Sequence, residues 1–147
     1  MPFRPATLAD LDALVPLMQA FYAEDRHPWK EDAARETLGT LLRDSGCGRA
    51  FLIEEESRLV GYLVVCFGFS LEFHGRDAFL DELYVVPAQR GRGLGTQALR
   101  VAEDCCREAG ARALHLEVGH TNDSARRLYR SWGFAERPFA LMSKPLR

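Results

Sequence analysis

Long apolar runs are missing from this 147-residue chain, and so are low-complexity stretches and internal repeats. No segment approaches the roughly 20 apolar residues that a membrane-spanning helix needs, so no membrane is expected as a partner. A basic block is also missing. Lysine and arginine number 19 against 21 aspartates and glutamates, for a net charge of −2. That balance argues against nucleic acid as the main partner and suits a cationic small molecule better. The four cysteines, Cys47, Cys66, Cys105 and Cys106, show no metal-ligand spacing, so no metal is expected and the thiols read as buried and free. The N-terminus lacks the basic-then-apolar pattern of a secretory leader, and a cytoplasmic protein is expected.

What is present is one domain's worth of sequence, expected to span residues 1–147, with 47% hydrophobic residues. A chain of this length can bury about 70% of its unfolded surface, which is enough to fold without disulfides or metal. Residues 3–5 read as a short strand. Leu8, Leu11, Val15, Met18 and Tyr22 then fall on one helical face, with Pro16 expected to kink or break that helix. Ala34, Leu38, Leu41 and Leu42 mark a second helix over residues 30–43. A hairpin follows, with strands at 49–54 and 58–69, and residues 70–77 read as a polar connector. Strand 79–86 stops at Pro87, helix 94–109 stops at Gly110, and residues 113–118 form a further strand. A fourth helix opens near Asn122 and ends at Gly133-Phe134, and residues 139–144 read as a last strand. The order β-α-α-β-β-β-α-β-α-β describes an α/β (α+β) domain: one mixed sheet with helices on both faces.

The most informative stretch is Arg90-Gly91-Arg92-Gly93-Leu94-Gly95, between the strand at 79–86 and the helix at 94–109. Alternating glycines free the backbone to curl and to aim several N–H groups at one ligand. The following helix adds its positive N-terminal end, which makes a phosphate chain the natural guest. Two other phosphate loops do not fit. The dinucleotide fingerprint needs G-x-G-x-x-G after the first strand of a parallel unit, and the Walker loop needs a Gly-Lys pair that this chain does not contain.

With Arg90-x-x-Gly93-x-Gly95 at this corner, the chain resembles the GNAT superfamily of acyl-CoA-dependent N-acetyltransferases. Asn122-x-x-Ala125-x-x-Leu128-Tyr129, followed by Trp132-Gly133-Phe134, looks like the family's later motif at the correct distance. The resemblance covers nearly the whole chain and implies a mostly antiparallel, seven-stranded sheet. It implies acetyl-CoA as co-substrate, its diphosphate held by the amides of Gly91, Arg92, Gly93, Leu94, Gly95 and Thr96, with Arg90 and Arg92 adding charge. Leu83, Tyr84 and Val85 match the strand that pairs with the pantetheine arm, where a backbone N–H would face the thioester oxygen. Asn122, with Ser124 and Ala125 beside it, matches the later contact to that arm, and Asn122 is equally suited to cap a helix. Tyr129 matches the family's acid for the leaving thiolate.

An acceptor amine arrives protonated, since alkylamines have a pKa near about 10, and something must take its proton. Three carboxylates qualify. Asp81 and Glu82 share the strand before the loop and are expected on opposite faces because side chains alternate. Glu117 resembles the glutamate of peptide-directed relatives, and Asp81 resembles the acidic position of polyamine-directed ones. Substrate contacts are expected from Phe21, Tyr22, Glu24, Asp25, His27 and Trp29, and from Glu72 in the connector, since aromatic faces beside carboxylates suit a cation. His74 and His115 show no partner set. The expected activity is transfer of acetyl from acetyl-CoA to a small-molecule primary amine by direct attack. The alternatives are a protein or peptide N-acetyltransferase and a non-catalytic acyl-CoA-binding module. Many relatives are dimers, so a homodimer is compatible with the resemblance.

Overall fold

Residues 2–147 are described by a computed structural model, whose backbone falls into two units, Met1–Glu117 and Val118–Arg147. The first unit is built on a sheet in sequential order: β1 (Phe3–Pro5), β2 (Gly48–Glu55), β3 (Arg58–Ser70), β4 (Gly75–Val85) and β5 (Leu114–His115). The first four strands run antiparallel, and β4 pairs with β5 in parallel. Leu52, Tyr62, Val64 and Tyr84 project from one face into a core with Leu14, Val15 and Met18 of α1 (Leu11–Glu24) and Leu38 of α2 (Glu31–Arg43). Ile53, Leu83 and Val85 project from the other face and meet Leu94, the first residue of α3 (Leu94–Glu108). Strand residues thus alternate between two helical layers, which is why residues 63–67 carry almost no polar side chain.

Some sequence expectations need correction. The sheet has five strands among the described residues, not seven, and the expected strand at 139–144 does not form. Alternating apolar residues suggested that strand, but a strand exists only where a neighbour's backbone completes the ladder. Pro138 and Pro145 bracket the segment, and Phe139, Leu141 and Met142 stay exposed. The strand expected at 113–118 is paired only at Leu114 and His115, opposite Ala78 and Phe79. The connector is also shorter than the expected 70–77. Its polar residues Arg76 and Asp77 belong to β4, opposite Phe69 and Gly68.

The short β5 pairing stops just before an irregularity in β4. Val64 faces Glu82 while Val65 faces Leu80, so Asp81 is the extra residue of a β-bulge. A bulge bends its strand and re-aims its side chains. Past Phe79 the outer edge of β4 has no strand partner among the described residues. Pro16 neither breaks nor ends α1, which runs through it. The proline sits on the exposed face, where the carbonyl it leaves without a donor can bond water.

In the second unit, α4 (Asp123–Ser131) starts at Asn122, whose side chain accepts from the Ala125 N–H at 3.2 Å. The helix closes at Trp132, and Gly133 follows at φ 94°.

Candidate active site

The bulge decides the chemistry of the sheet. On a regular strand Asp81 and Glu82 would face opposite sides, as expected from alternation. The extra residue turns both carboxylates toward the α1–α2 side, where they share one cavity of about 350 Å³. Glu82 is partly buried there, and Asp81 is exposed. Tyr22 on α1 donates its hydroxyl to Glu82 at 2.6 Å, and Tyr62 on β3 donates to the other carboxylate oxygen at 2.8 Å. Burial pushes the Glu82 carboxyl above the usual glutamate range, while the two tyrosine donors hold it partway back. Both tyrosine hydroxyls are pushed upward, chiefly by burial and further by Glu82, so they remain donors at neutral pH. A carboxylate raised in this way is a stronger base than an exposed glutamate.

The expected acceptor residues divide into two groups. Phe21, Tyr22 and Trp29 come together: Phe21 packs on Tyr62 and Tyr84, and Tyr22 meets the Trp29 ring edge-on at 5.4 Å. Glu24 and Asp25 are already engaged, with Arg90 at 2.8 Å and His27 at 2.9 Å. Glu72 lies in the turn between β3 and β4. Glu117 is exposed beyond the end of β5 and does not line the Asp81–Glu82 cavity. His115, expected to have no partner, has its Nε2 at 3.1 Å from an Asp77 oxygen. Tyr62 went unnoticed in the sequence because only the β3–β4 register places it near Glu82. Cys66 shares the same cavity, and its thiol is pushed up to about 11 by burial and the two neighbouring carboxylates. A thiol held there is protonated at neutral pH and a poor nucleophile.

Because both tyrosines favour the charged form of Glu82, removing one raises its pKa further. Tyr62→Phe keeps the fully buried ring and deletes one donor. The acid limb of the activity profile is expected to move up by about one pH unit. A profile identical to wild type would show that the hydroxyl does not tune this carboxylate.

The glycine loop has the backbone that an anion site needs. Gly91 and Gly93 take φ values of 78° and 80°, and added β-carbons would meet nothing within 4 Å, so the space over the loop is open. Gly93 caps α3, with no side chain closing the helix start and no acidic residue in the first turn. Leu94, only 3% exposed, pins this helix end to the sheet. Arg92 is exposed on the loop. Arg90 stands at the start of the loop. Its Nε donates to the Val85 carbonyl at 2.8 Å, its other end pairs with Glu24, and its guanidinium lies 5.6 Å from the Tyr84 ring centre. It ties the end of α1 to the end of β4.

In the second unit, Asn122 acts as the α4 cap, and the Ser124 hydroxyl lies 3.4 Å from its side-chain oxygen. Tyr129 packs edge-on against Phe134 with ring centres 6.0 Å apart. Burial pushes the Tyr129 phenol above its usual range, so the group holds its proton.

Comparison with known proteins agrees with this geometry. A family model described as the acetyltransferase (GNAT) family matches residues 14–134. An uncharacterized N-acetyltransferase of Bacillus subtilis, YhfO, is 29% identical over 136 residues, covering 92% of this chain and 91% of that protein. A putative [ribosomal protein bS18]-alanine N-acetyltransferase of the same organism is 27% identical, covering 88% of this chain and 78% of that one. Among solved structures, an integron cassette protein from the mobile metagenome of Cole Harbour Salt Marsh superimposes with a TM-score of 0.89. It is 36% identical and covers 99% of this chain and 91% of that one.

Proposed function

For a chain that belongs to the GNAT acetyltransferase family, we propose transfer of an acetyl group from acetyl-CoA to the primary amine of a small molecule. The observation that carries this reading is the paired carboxylates on one cavity, with Glu82 half-buried and held by two tyrosines. Acetyl-CoA would supply the activated thioester. The residues present suit it: Gly91 and Gly93 keep open space over an uncapped helix start, and Arg92 is exposed beside them. The amides of 91–96 would hold its diphosphate. The unpaired outer edge of β4 at Leu83, Tyr84 and Val85 would receive the pantetheine arm, although the Val85 carbonyl already has Arg90. Asn122, alongside capping α4, would reach the same arm, flanked by Ser124 and Ala125.

Glu82 takes a proton from the acceptor ammonium, directly or through water. The freed amine nitrogen bonds to the acetyl carbon, and the carbon–sulfur bond breaks. Tyr129 gives its proton to the departing sulfur and regains one, through water, as the attacking nitrogen sheds its second proton on becoming an amide. Asp81 adds negative charge that draws the ammonium to Glu82. No acyl-enzyme is required, and the cysteines are poor candidates for one, with Cys106 pushed up to about 12 by burial. A protein-directed reading has the putative ribosomal-protein acetyltransferase behind it, but the paired carboxylates beside an apolar lining favour a small acceptor. We place the reaction in the cytoplasm, where acetyl-CoA is made available to soluble enzymes.

Gly93 tests the loop. Alanine at φ 80° is strained by about 1–2 kcal/mol, which corresponds to roughly a tenfold change in an equilibrium. Gly93→Ala is expected to weaken CoA binding by about tenfold in calorimetric titration, with an unchanged circular dichroism spectrum. Unaltered affinity would place the diphosphate elsewhere.

A further inference from the structure

The cavity over Asp81 and Glu82 is strongly asymmetric. Its polar end consists of those two carboxylates with Cys66. The remainder is walled by Met18, Leu38, Leu41 and Val64, by Ala33 and Ala34, whose small side chains make the room, and by Thr37, whose hydroxyl donates to the Ala33 carbonyl. Lys30 is the one cationic residue on the lining, and it is exposed. Trp29 closes another side, and its indole N–H is the one buried side-chain donor without an acceptor among the described residues. Of the other acidic side chains expected to serve the acceptor, Glu24 and Asp25 are engaged with Arg90 and His27, and Glu72, in the β3–β4 turn, is not on the lining. The carboxylates lining this cavity are therefore all at one end.

We propose that the acceptor is a primary monoamine with an apolar alkyl or aryl body: the ammonium sits at Asp81 and Glu82, and the body lies against Met18, Leu38 and Val64 under the α2 alanines. This rests on the acetyltransferase reading and narrows its substrate class. One charge is matched by the paired carboxylates. A second ammonium, as in a polyamine or an aminoglycoside, would be stripped of water against an aliphatic wall with no counter-charge and with Lys30 at the rim, which is unfavourable. A volume of about 350 Å³ lies at the small end of the roughly 300–1,000 Å³ usual for small-molecule sites. It suits a single ring or short alkyl chain.

The test compares 2-phenylethylamine, ethylamine, spermidine and an alanine-initiated peptide, using CoA release for turnover and calorimetry for binding of each amine. The account expects 2-phenylethylamine to show the highest kcat/KM, at least tenfold above spermidine and the peptide. Ala34→Leu narrows the cavity on a residue that helices accept readily. It is expected to lower the ratio of kcat/KM for 2-phenylethylamine over ethylamine by about tenfold. Turnover of spermidine or the peptide at equal or higher efficiency would overturn this acceptor class and leave the acetyltransferase reading standing. Calorimetric binding of 2-phenylethylamine that Ala34→Leu weakens, with no CoA released by any amine, would support the cavity's ligand class and defeat the acetyltransferase reading. If 2-phenylethylamine neither binds nor reacts, the inference is overturned.

Discussion

Replacing Glu82 by glutamine is expected to lower kcat by about two to four orders of magnitude, the range typical of a lost general base. The substitution keeps the shape: the amide oxygen still accepts from one tyrosine and the NH2 donates to the hydroxyl oxygen of the other, so the packing around the site should survive. The pH profile adds a signature that a folding defect lacks. In the wild type the basic form of Glu82 must be populated, so activity rises with pH through its pKa. That pKa lies above the ordinary glutamate value because burial disfavours the charged form. In Glu82→Gln this acid limb disappears, and the residual rate follows only the free amine concentration, rising toward the amine's own pKa. Glu117→Gln supplies the comparison. Glu117 is exposed and does not line the cavity. A hundredfold loss in that variant, with Glu82→Gln active, would transfer the role of base to Glu117.

Tyr129→Phe should reduce kcat by about 10²-fold or more while leaving the dissociation constant for CoA within about twofold. A half-buried phenol pushed above its usual range is fully protonated at neutral pH, the state required to donate to a departing thiolate. The Phe134 edge contact should persist with phenylalanine, so α4 has no reason to unfold. Acyl donors whose thiols are more acidic need less help in leaving. The deficit of the variant should therefore shrink with such donors, an effect that a packing role would not produce. A variant with full turnover would remove Tyr129 from the chemistry.

The residue pattern made much of this legible. Local signals carried the four helices, because amphipathic spacing such as Leu38 with Leu41, the Asn122 cap and the glycine at 110 act within a turn or two of chain. The glycine loop was legible for the same reason: positive φ at Gly91 and Gly93 is a property of the residues themselves. What depends on a distant partner was not legible. Residues 139–144 have the alternation of a strand, yet no described neighbour completes a ladder with them. The bulge at Asp81 is a mismatch in count between β3 and β4, and no single strand encodes it visibly. Alternation therefore separated two carboxylates that the structure puts on one cavity. Tyr62 was missed as the partner of Glu82 for the same reason. The pairing of Arg90 with Glu24, 66 residues earlier, was not legible either.

Everything proposed for the reaction depends on the corner between β4 and α3 gripping the diphosphate of CoA. Backbone amide resonances followed during a CoA titration test this most directly. The account predicts saturable shifts that are largest for Gly91, Arg92, Gly93, Leu94, Gly95 and Thr96, with lesser changes along Leu83–Val85. Saturation with those resonances unmoved, or shifts concentrated on another face of the protein, would contradict it.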